Sequence, residues 1–341
     1  MIQVGLIGAG FIGRNHFDQY QKLSGRARVA AICDADPKRA RGDWSEGGGN
    51  IADTAGRVQD LGDIRPYDRW QDILADPHLD MVDITLPTFL HARVTIAALK
   101  AGKHVLCEKP MALTPKDCDR MIEAARKSRR LLMIAQCIRF WPEYVWLKQA
   151  VDEKRYGGLR ALSLRRQANT PNWTWQNWSA NAKRSGGAIL DLHVHDVDYA
   201  LYLLGKPKSV HAQGCGRGPL IDRVQALWQY GKGKAVYLEG FWDMPPGFRF
   251  NMGFTAIFEK AAVVWDMSSG NPLTVFHAAG NTETPAMPPN DGYYGEIDYF
   301  LRCIEQGCRP QTSTPKDSRD AVAIALAEAK SIRTGKPVAT R

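Results

Sequence analysis

No C-x-x-C pair occurs in the chain, although cysteines stand at 33, 107, 118, 137, 215, 303 and 308. An odd set without that spacing excludes a disulfide framework and a cysteine-based zinc site as organising features. It suits a reducing compartment, and a cytoplasmic location is expected. Nowhere do 18 apolar residues follow one another, and no basic segment precedes the first apolar run. Neither a membrane span nor an export signal is therefore expected. The formal charge of +9 is scattered, without a basic run interleaved with aromatics, so no nucleic-acid partner is expected either. Internal repeats and low-complexity tracts are also missing.

What is present is an ordinary globular composition, 44% hydrophobic and 24% charged. Its 341 residues exceed what a single core usually supports, so two domains are expected. Residues 2–7, IQVGLI, have the continuous apolar character of a buried strand. Apolar positions over 11–23 then fall on one helical face, and 28–33 is a second strand. Strand, helix and strand within about thirty residues form a right-handed βαβ unit, the start of a doubly wound parallel sheet. Gly-rich residues 47–49 read as a loop insertion. Alternation resumes with helices near 67–75 and 91–100, a helix after Thr114-Pro115, and strands at 81–86, 103–107 and 131–135.

The expected fold class is thus α/β, with a Rossmann-type first domain over 1–137. Residues 138–315 should form an α+β substrate-binding domain with a mainly antiparallel sheet. A terminal helix, about 316–335, is expected to return to the first domain.

Gly8-Ala9-Gly10-Phe11-Ile12-Gly13 is G-x-G-x-x-G placed between a strand and a helix. Gly8 permits a tight turn, Gly10 leaves room for a pyrophosphate, and Gly13 lets helix and strand approach. The helix N-terminus then faces the phosphates. Asp34 closes the second strand, where a carboxylate accepts hydrogen bonds from the ribose hydroxyls of NAD and repels a 2′-phosphate. NAD is therefore expected in preference to NADP, although Lys38 and Arg39 follow closely enough to neutralise such a phosphate.

Thr85-Leu86-Pro87 and His91 fall at the carboxyl edge of the sheet, where ligands of this fold sit. Glu108 and Lys109 occupy the same edge, and Pro110 restricts Lys109 to an extended conformation that can aim it into the cleft. Oxidation of an alcohol builds negative charge on oxygen, which a nearby ammonium stabilises. Asp191 and His195 stand at i and i+4, as neighbours on one helical face, so the carboxylate can orient the imidazole as a general base. His193 points elsewhere and reads as a structural histidine. The H-x-H-D-x-D spacing does not converge on a metal, and none is expected. Trp173, Trp175 and Trp178 can stack on the apolar face of a sugar or line a core. Arg139, at the junction, is placed to reach into the interdomain cleft.

These residues resemble the Gfo/Idh/MocA family, named for glucose-fructose oxidoreductase and inositol dehydrogenase. The likeness includes VGLIGAGFIGRNH, DITLPTFLHARVTIAALKAGKHVLCEKPMA, RFWPEY, GGAILDLHVHDVD and YYGEIDYFLRCIEQG. Ala188 stands where many members carry a further Gly. The resemblance implies that Lys109 orients substrate and supports the alkoxide, His195 is the acid/base, and Asp191 is its partner and a substrate contact. It also implies an open-faced second sheet used in homodimer or homotetramer assembly. The expected activity is NAD-dependent oxidation of a secondary hydroxyl of a sugar, cyclitol or glycoside. Two alternatives share these motifs: an NAD-assisted glycoside hydrolase or lyase, and a non-catalytic dinucleotide-binding regulator.

Overall fold

The computed structural model describes residues 1–46, 48–49, 56–231 and 233–340. Gly47 of the expected loop insertion lies outside these residues. Strand β1 (Ile2–Ile7), helix α1 (Phe11–Lys22) and strand β2 (Ala27–Cys33) open the chain as a βαβ unit. Five of the six β1 residues are buried, as a parallel strand covered on both faces requires. Phe17 and Tyr20 are the large buried side chains of α1.

The first sheet has six parallel strands, in the order Arg65–Tyr67, β2, β1, Met81–Ile84, His104–Glu108 and Leu132–Ala135. The strand order therefore reverses beside β1. Crossovers on either side of that point diverge, leaving a crevice above the carboxyl ends of β1 and Met81–Ile84. Thr114 and Thr314 cap the helices Pro115–Ser128 and Pro315–Thr334, each accepting from a backbone N–H three residues on. Of the expected 67–75 helix only Trp70–Leu74 is helical, because Tyr67 ends the strand Arg65–Tyr67 that completes the sheet edge.

The second sheet has nine strands. Its central strand, Leu159–Asn169, runs parallel to Ala235–Met244 and antiparallel to Asn251–Phe258, and every other pairing is antiparallel. Buried and exposed residues alternate along Arg223–Gln229, so one face is packed and the other open. The His193–Leu204 region and the terminal helix cover the packed face. Among the described residues, no helix is long and apolar enough to cross a membrane.

Two late helices pack on the first half, and the second of them also meets the second sheet. In Gly292–Gln306, Ile297, Phe300 and Leu301 pack with Ile2, Val4 and Leu6, closing one face of the first sheet. The terminal helix Pro315–Thr334 meets the first sheet through Ser318, whose hydroxyl accepts from the Gln136 amide at 3.4 Å. It meets the second sheet through Ser331, which accepts from the backbone N–H of Ala212 at 2.9 Å.

Candidate active site

The crevice and the packed end of the second sheet enclose one cleft. Its space outside the atoms, open mouth included, is about 1850 Å³. Its lining is drawn from both halves, from Gly8 and Asp34 to Trp173 and His195.

Gly8, Gly10, Phe11, Ile12, Asp34, Thr85, Leu86, Pro87 and Glu108 line the nucleotide half. Gly8 has φ +104°, and a Cβ there would meet the Thr85 carbonyl oxygen at 2.7 Å. A Cβ on Gly13 would lie 1.9 Å from the Gly8 oxygen, so Gly13 acts beneath the lining as the close contact between helix and turn. Gly10 is different, because an added Cβ meets nothing within 4 Å. Packing within the protein does not demand glycine there. The open space lies over the N-terminus of α1, which has no side-chain cap. Unpaired N–H groups facing an open cradle fit a pyrophosphate. Thr85 holds the turn by donating to the Gly8 carbonyl at 2.6 Å.

The Asp34 carboxylate accepts from the N–H groups of Ala9 (2.8 Å) and Asp36 (2.9 Å), which fixes it at the cleft edge. Burial raises its pKa, with those two donors opposing the shift. Arg39 also lines the cleft, its guanidinium 3.8 Å from Asp36, whereas Lys38 is not in the lining.

His91 departs from the expected cofactor contact. It is buried beneath the edge, with Nδ1 2.8 Å from the Pro110 oxygen and Nε2 2.7 Å from the Leu86 oxygen, and does not line the cleft. Its ring ties the two edge loops together. Arg139 is corrected in the same way. Its guanidinium donates to both Asp198 oxygens at 2.7 and 2.8 Å and to the Thr312 carbonyl at 2.7 Å, and its side chain is buried. A position just beyond a strand end indicates the neighbourhood of the cleft, not the direction of a long side chain, and here a buried carboxylate captures it.

Lys109 Nζ donates to the Asp191 carbonyl at 2.8 Å and lies 3.8 Å from Asp191 Oδ1. His195 lines the same cleft, and its Nδ1 has no hydrogen-bond partner among the described residues. The expected Asp191–His195 pairing is not formed. A short helix, Ala188–Asp191, ends there, and a kink at Leu192 and His193 separates it from Val194–Leu204. The N–H of His193 reaches back to the Ala188 carbonyl at 2.8 Å, five residues away, which breaks the i, i+4 phase. His193 is structural, as expected, with Nε2 2.9 Å from Glu328.

His195 is buried, which pushes its pKa well below the usual 6.5; Lys109 and Arg166 push it the same way. The imidazole is therefore neutral at neutral pH and able to accept a proton. Arg166 also lines the cleft. It donates from Nε to Asp196 at 2.9 Å and from a terminal nitrogen at 3.2 Å. A legible signal existed for it: Arg166 continues the inward series Leu162, Leu164 and Ala168 along its strand, a place for a charge only if it has a task or a partner. Trp173, Trp175 and Trp178 all line the cleft, and Gly48 packs directly against Trp173.

Beneath Glu108 lies a buried polar cluster. Glu108 accepts from the Lys109 N–H at 3.0 Å and stands 3.3 Å from His16 Nε2, while His16 Nδ1 is 2.8 Å from Asp83. Glu296 lies 3.8 Å from His16 Nε2. Burial opposes a charge on His16, but Asp83 and Glu108 outweigh it and hold its pKa well above 6.5. Burial, then repulsion by Glu108, pushes Glu296 up well above the usual 4.5. His16, Glu108 and Glu296 are close enough to share a metal ion. A protonated His16, however, has no ring lone pair for one.

The family profile described as an oxidoreductase family with an NAD-binding Rossmann fold matches residues 2–136, and the Gfo/Idh/MocA C-terminal domain profile matches 144–264. The inositol 2-dehydrogenase of Rhizobium meliloti is 27% identical over 348 residues, covering 96% of this chain and 95% of that protein. The levoglucosan dehydrogenase of Pseudarthrobacter phenanthrenivorans is 32% identical over 218 residues, 62% of this chain. That match spans only 53% of the relative's own length. A levoglucosan dehydrogenase solved with NADH and levoglucosan shares the fold, with a TM-score of 0.84 at 23% identity and 99% of each chain covered. With both halves matched, the chain belongs to the Gfo/Idh/MocA family of oxidoreductases with an NAD-binding Rossmann fold.

Proposed function

We propose that this chain is an NAD-dependent dehydrogenase that oxidises a secondary hydroxyl of a sugar, cyclitol or glycoside, and reduces the ketone in reverse. The observation that carries the reading is the convergence of Lys109 and a neutral, buried His195 in the cleft beside an open helix N-terminus. The inositol and levoglucosan dehydrogenases among its relatives support the substrate class. Bound NAD supplies the acceptor for the carbon-bound hydrogen and its electron pair. Gly8, Gly10 and the start of α1 hold its pyrophosphate, and Asp34 its ribose.

His195 accepts the hydroxyl proton. Lys109, steered by the Asp191 carbonyl, donates to the same oxygen as negative charge grows on it. Asp191 presents its carboxylate to a neighbouring hydroxyl. Lys109 supplies the positive charge that a metal would otherwise bring, so the scheme requires none. Residues 1–137, with the Gly292–Gln306 helix packed on their sheet, serve the nucleotide, and the rest of 138–315 the substrate. The open face of the second sheet, where Leu227 and Ile257 are exposed, serves assembly as a homodimer or homotetramer.

The test is absorbance at the NADH band with NAD or NADP and a panel of inositols, aldoses, anhydrosugars and glycosides. A rise with NAD and one group is expected. Release of an aglycone without net NADH would replace this reading by transient oxidation and elimination.

A further inference from the structure

The substrate half of the cleft is poor in the groups that hold a polyhydroxylated ring. Among the described residues that line it there is no Asn or Gln. Arg166 is already engaged by both Asp196 oxygens, and the Thr174 hydroxyl is paired with Ser179 at 2.9 Å. Lys109, Asp191, His195 and the Tyr293 hydroxyl remain, enough for one reacting hydroxyl and its neighbours. Much of the remaining wall is aromatic: Trp173, Trp175 and Trp178 from one loop, with Trp242 and Phe250. Indole N–H groups donate but do not accept, so a cyclitol would place several hydroxyl protons against these walls without acceptors, which is costly.

A second observation concerns how the loop is built. Gln176 and Asn177, between Trp175 and Trp178, both adopt left-handed backbone, φ 49° and 50°. Consecutive non-glycine residues in that region persist only where the surroundings hold them. Here the Thr174–Ser179 hydroxyl pair closes the base of the turn. Arg184 donates to the Gln176 side chain at 3.4 Å while its guanidinium lies 4.8 Å from the Phe89 ring of the first domain. The clamped turn leaves Trp175 37% exposed at the cleft.

We propose that the substrate is a glycoside with a flat aromatic aglycone, its sugar hydroxyl at Lys109 and His195 and its aglycone ring against Trp175. This rests on the dehydrogenase reading and names the substrate class for it. The apolar walls then meet an apolar group, and the few polar groups meet the one edge of the sugar that reacts.

The experiment compares NADH formation by the full chain from phenyl and methyl glucosides, in both anomers, and from myo-inositol, together with quenching of tryptophan fluorescence. A phenyl glucoside with kcat/KM at least about tenfold above the methyl one, mostly through KM, is expected. Trp175→Ala should bring the two values together. NADH formed equally from phenyl and methyl glucosides, or best from myo-inositol, overturns the aglycone assignment and leaves the dehydrogenase intact. Quenching by phenyl but not methyl glucoside, without NADH from these probes or from the wider panel, supports the aromatic platform and removes the dehydrogenase reading. Neither NADH nor quenching overturns both.

Discussion

Lys109 and Asp191 are 82 residues apart in sequence, yet the Lys109 ammonium donates to the Asp191 backbone carbonyl at 2.8 Å. One residue leaves the carboxyl end of a first-sheet strand and the other ends a short helix over the second sheet. A backbone acceptor fixes the ammonium whatever the state of the Asp191 carboxylate. The bond therefore sets the height of Lys109 in the cleft, and the proposed catalytic geometry depends on both halves being in register.

The glycines of the nucleotide turn should separate folding from binding. Gly10→Ala adds a Cβ that meets no protein atom within 4 Å, so its thermal unfolding should match wild type. Its NAD affinity, measured by calorimetry, should fall by about tenfold or more as the methyl group enters the pyrophosphate space. Gly13→Ala would place a Cβ 1.9 Å from the Gly8 oxygen and should lower Tm as well. Equal NAD affinity for Gly10→Ala and wild type would contradict the assignment.

His195 should give the pH profile its acid limb. Burial, Lys109 and Arg166 hold its pKa well below 6.5, so kcat/KM should stay level through pH 6.5 and fall only below it. The linked effect on stability has a definite sign. The unfolded chain takes up a proton at pH 6.5 while folded His195 does not, so stability is lost as pH falls below that value. His195→Asn should reduce this slope in denaturant titrations. A profile already falling above pH 7 would count against a neutral base.

Arg139 should be a stability residue. Its guanidinium and Asp198 are both buried, and removing one partner strands the other charge. Arg139→Ala should cost about 3–5 kcal/mol in denaturant unfolding. Whatever activity the folded fraction retains should show an unchanged substrate KM. A raised KM at full stability would restore the substrate contact expected from its place in the sequence.

Glu296 should be replaceable by its neutral isostere. Burial and the charge on Glu108 raise its pKa well above 4.5, so the folded state holds a proton that the unfolded chain releases as pH rises past 4.5. That linkage costs stability at neutral pH, and Glu296→Gln removes it. Unfolding at pH 8 should show the variant at least as stable as wild type. A large loss would indicate an ionised Glu296.

The parts of the site legible from sequence are those fixed by local backbone needs. Gly8, Gly13 and the strand-to-helix change around them can be read because a positive φ or a 1.9 Å approach admits only glycine. Asp34 and Lys109 follow from the ends of strands that flank the point where the strand order reverses. The Asp191–His195 spacing misleads because a kink at Leu192 and His193 changes the helical phase, and the side-chain pattern does not reveal it. The Gly292–Gln306 helix shows an apolar face in sequence, but that face does not name its partner across the chain. Arg139 and His91 fail for a related reason: their partners, Asp198 and two loop carbonyls, are assembled only by the tertiary fold.

The roles of Lys109 and His195 are tested most directly by single-turnover NADH formation, with enzyme in excess over NAD, by wild type, Lys109→Ala and His195→Ala on the best substrate of the panel. Loss of one general base or one charge stabiliser typically costs about 10²–10⁴ in rate. Both variants should fall by that amount while binding NAD as wild type does. Wild-type rates in either variant, or loss of rate only through loss of NAD binding, would contradict Lys109 as the charge stabiliser and His195 as the base.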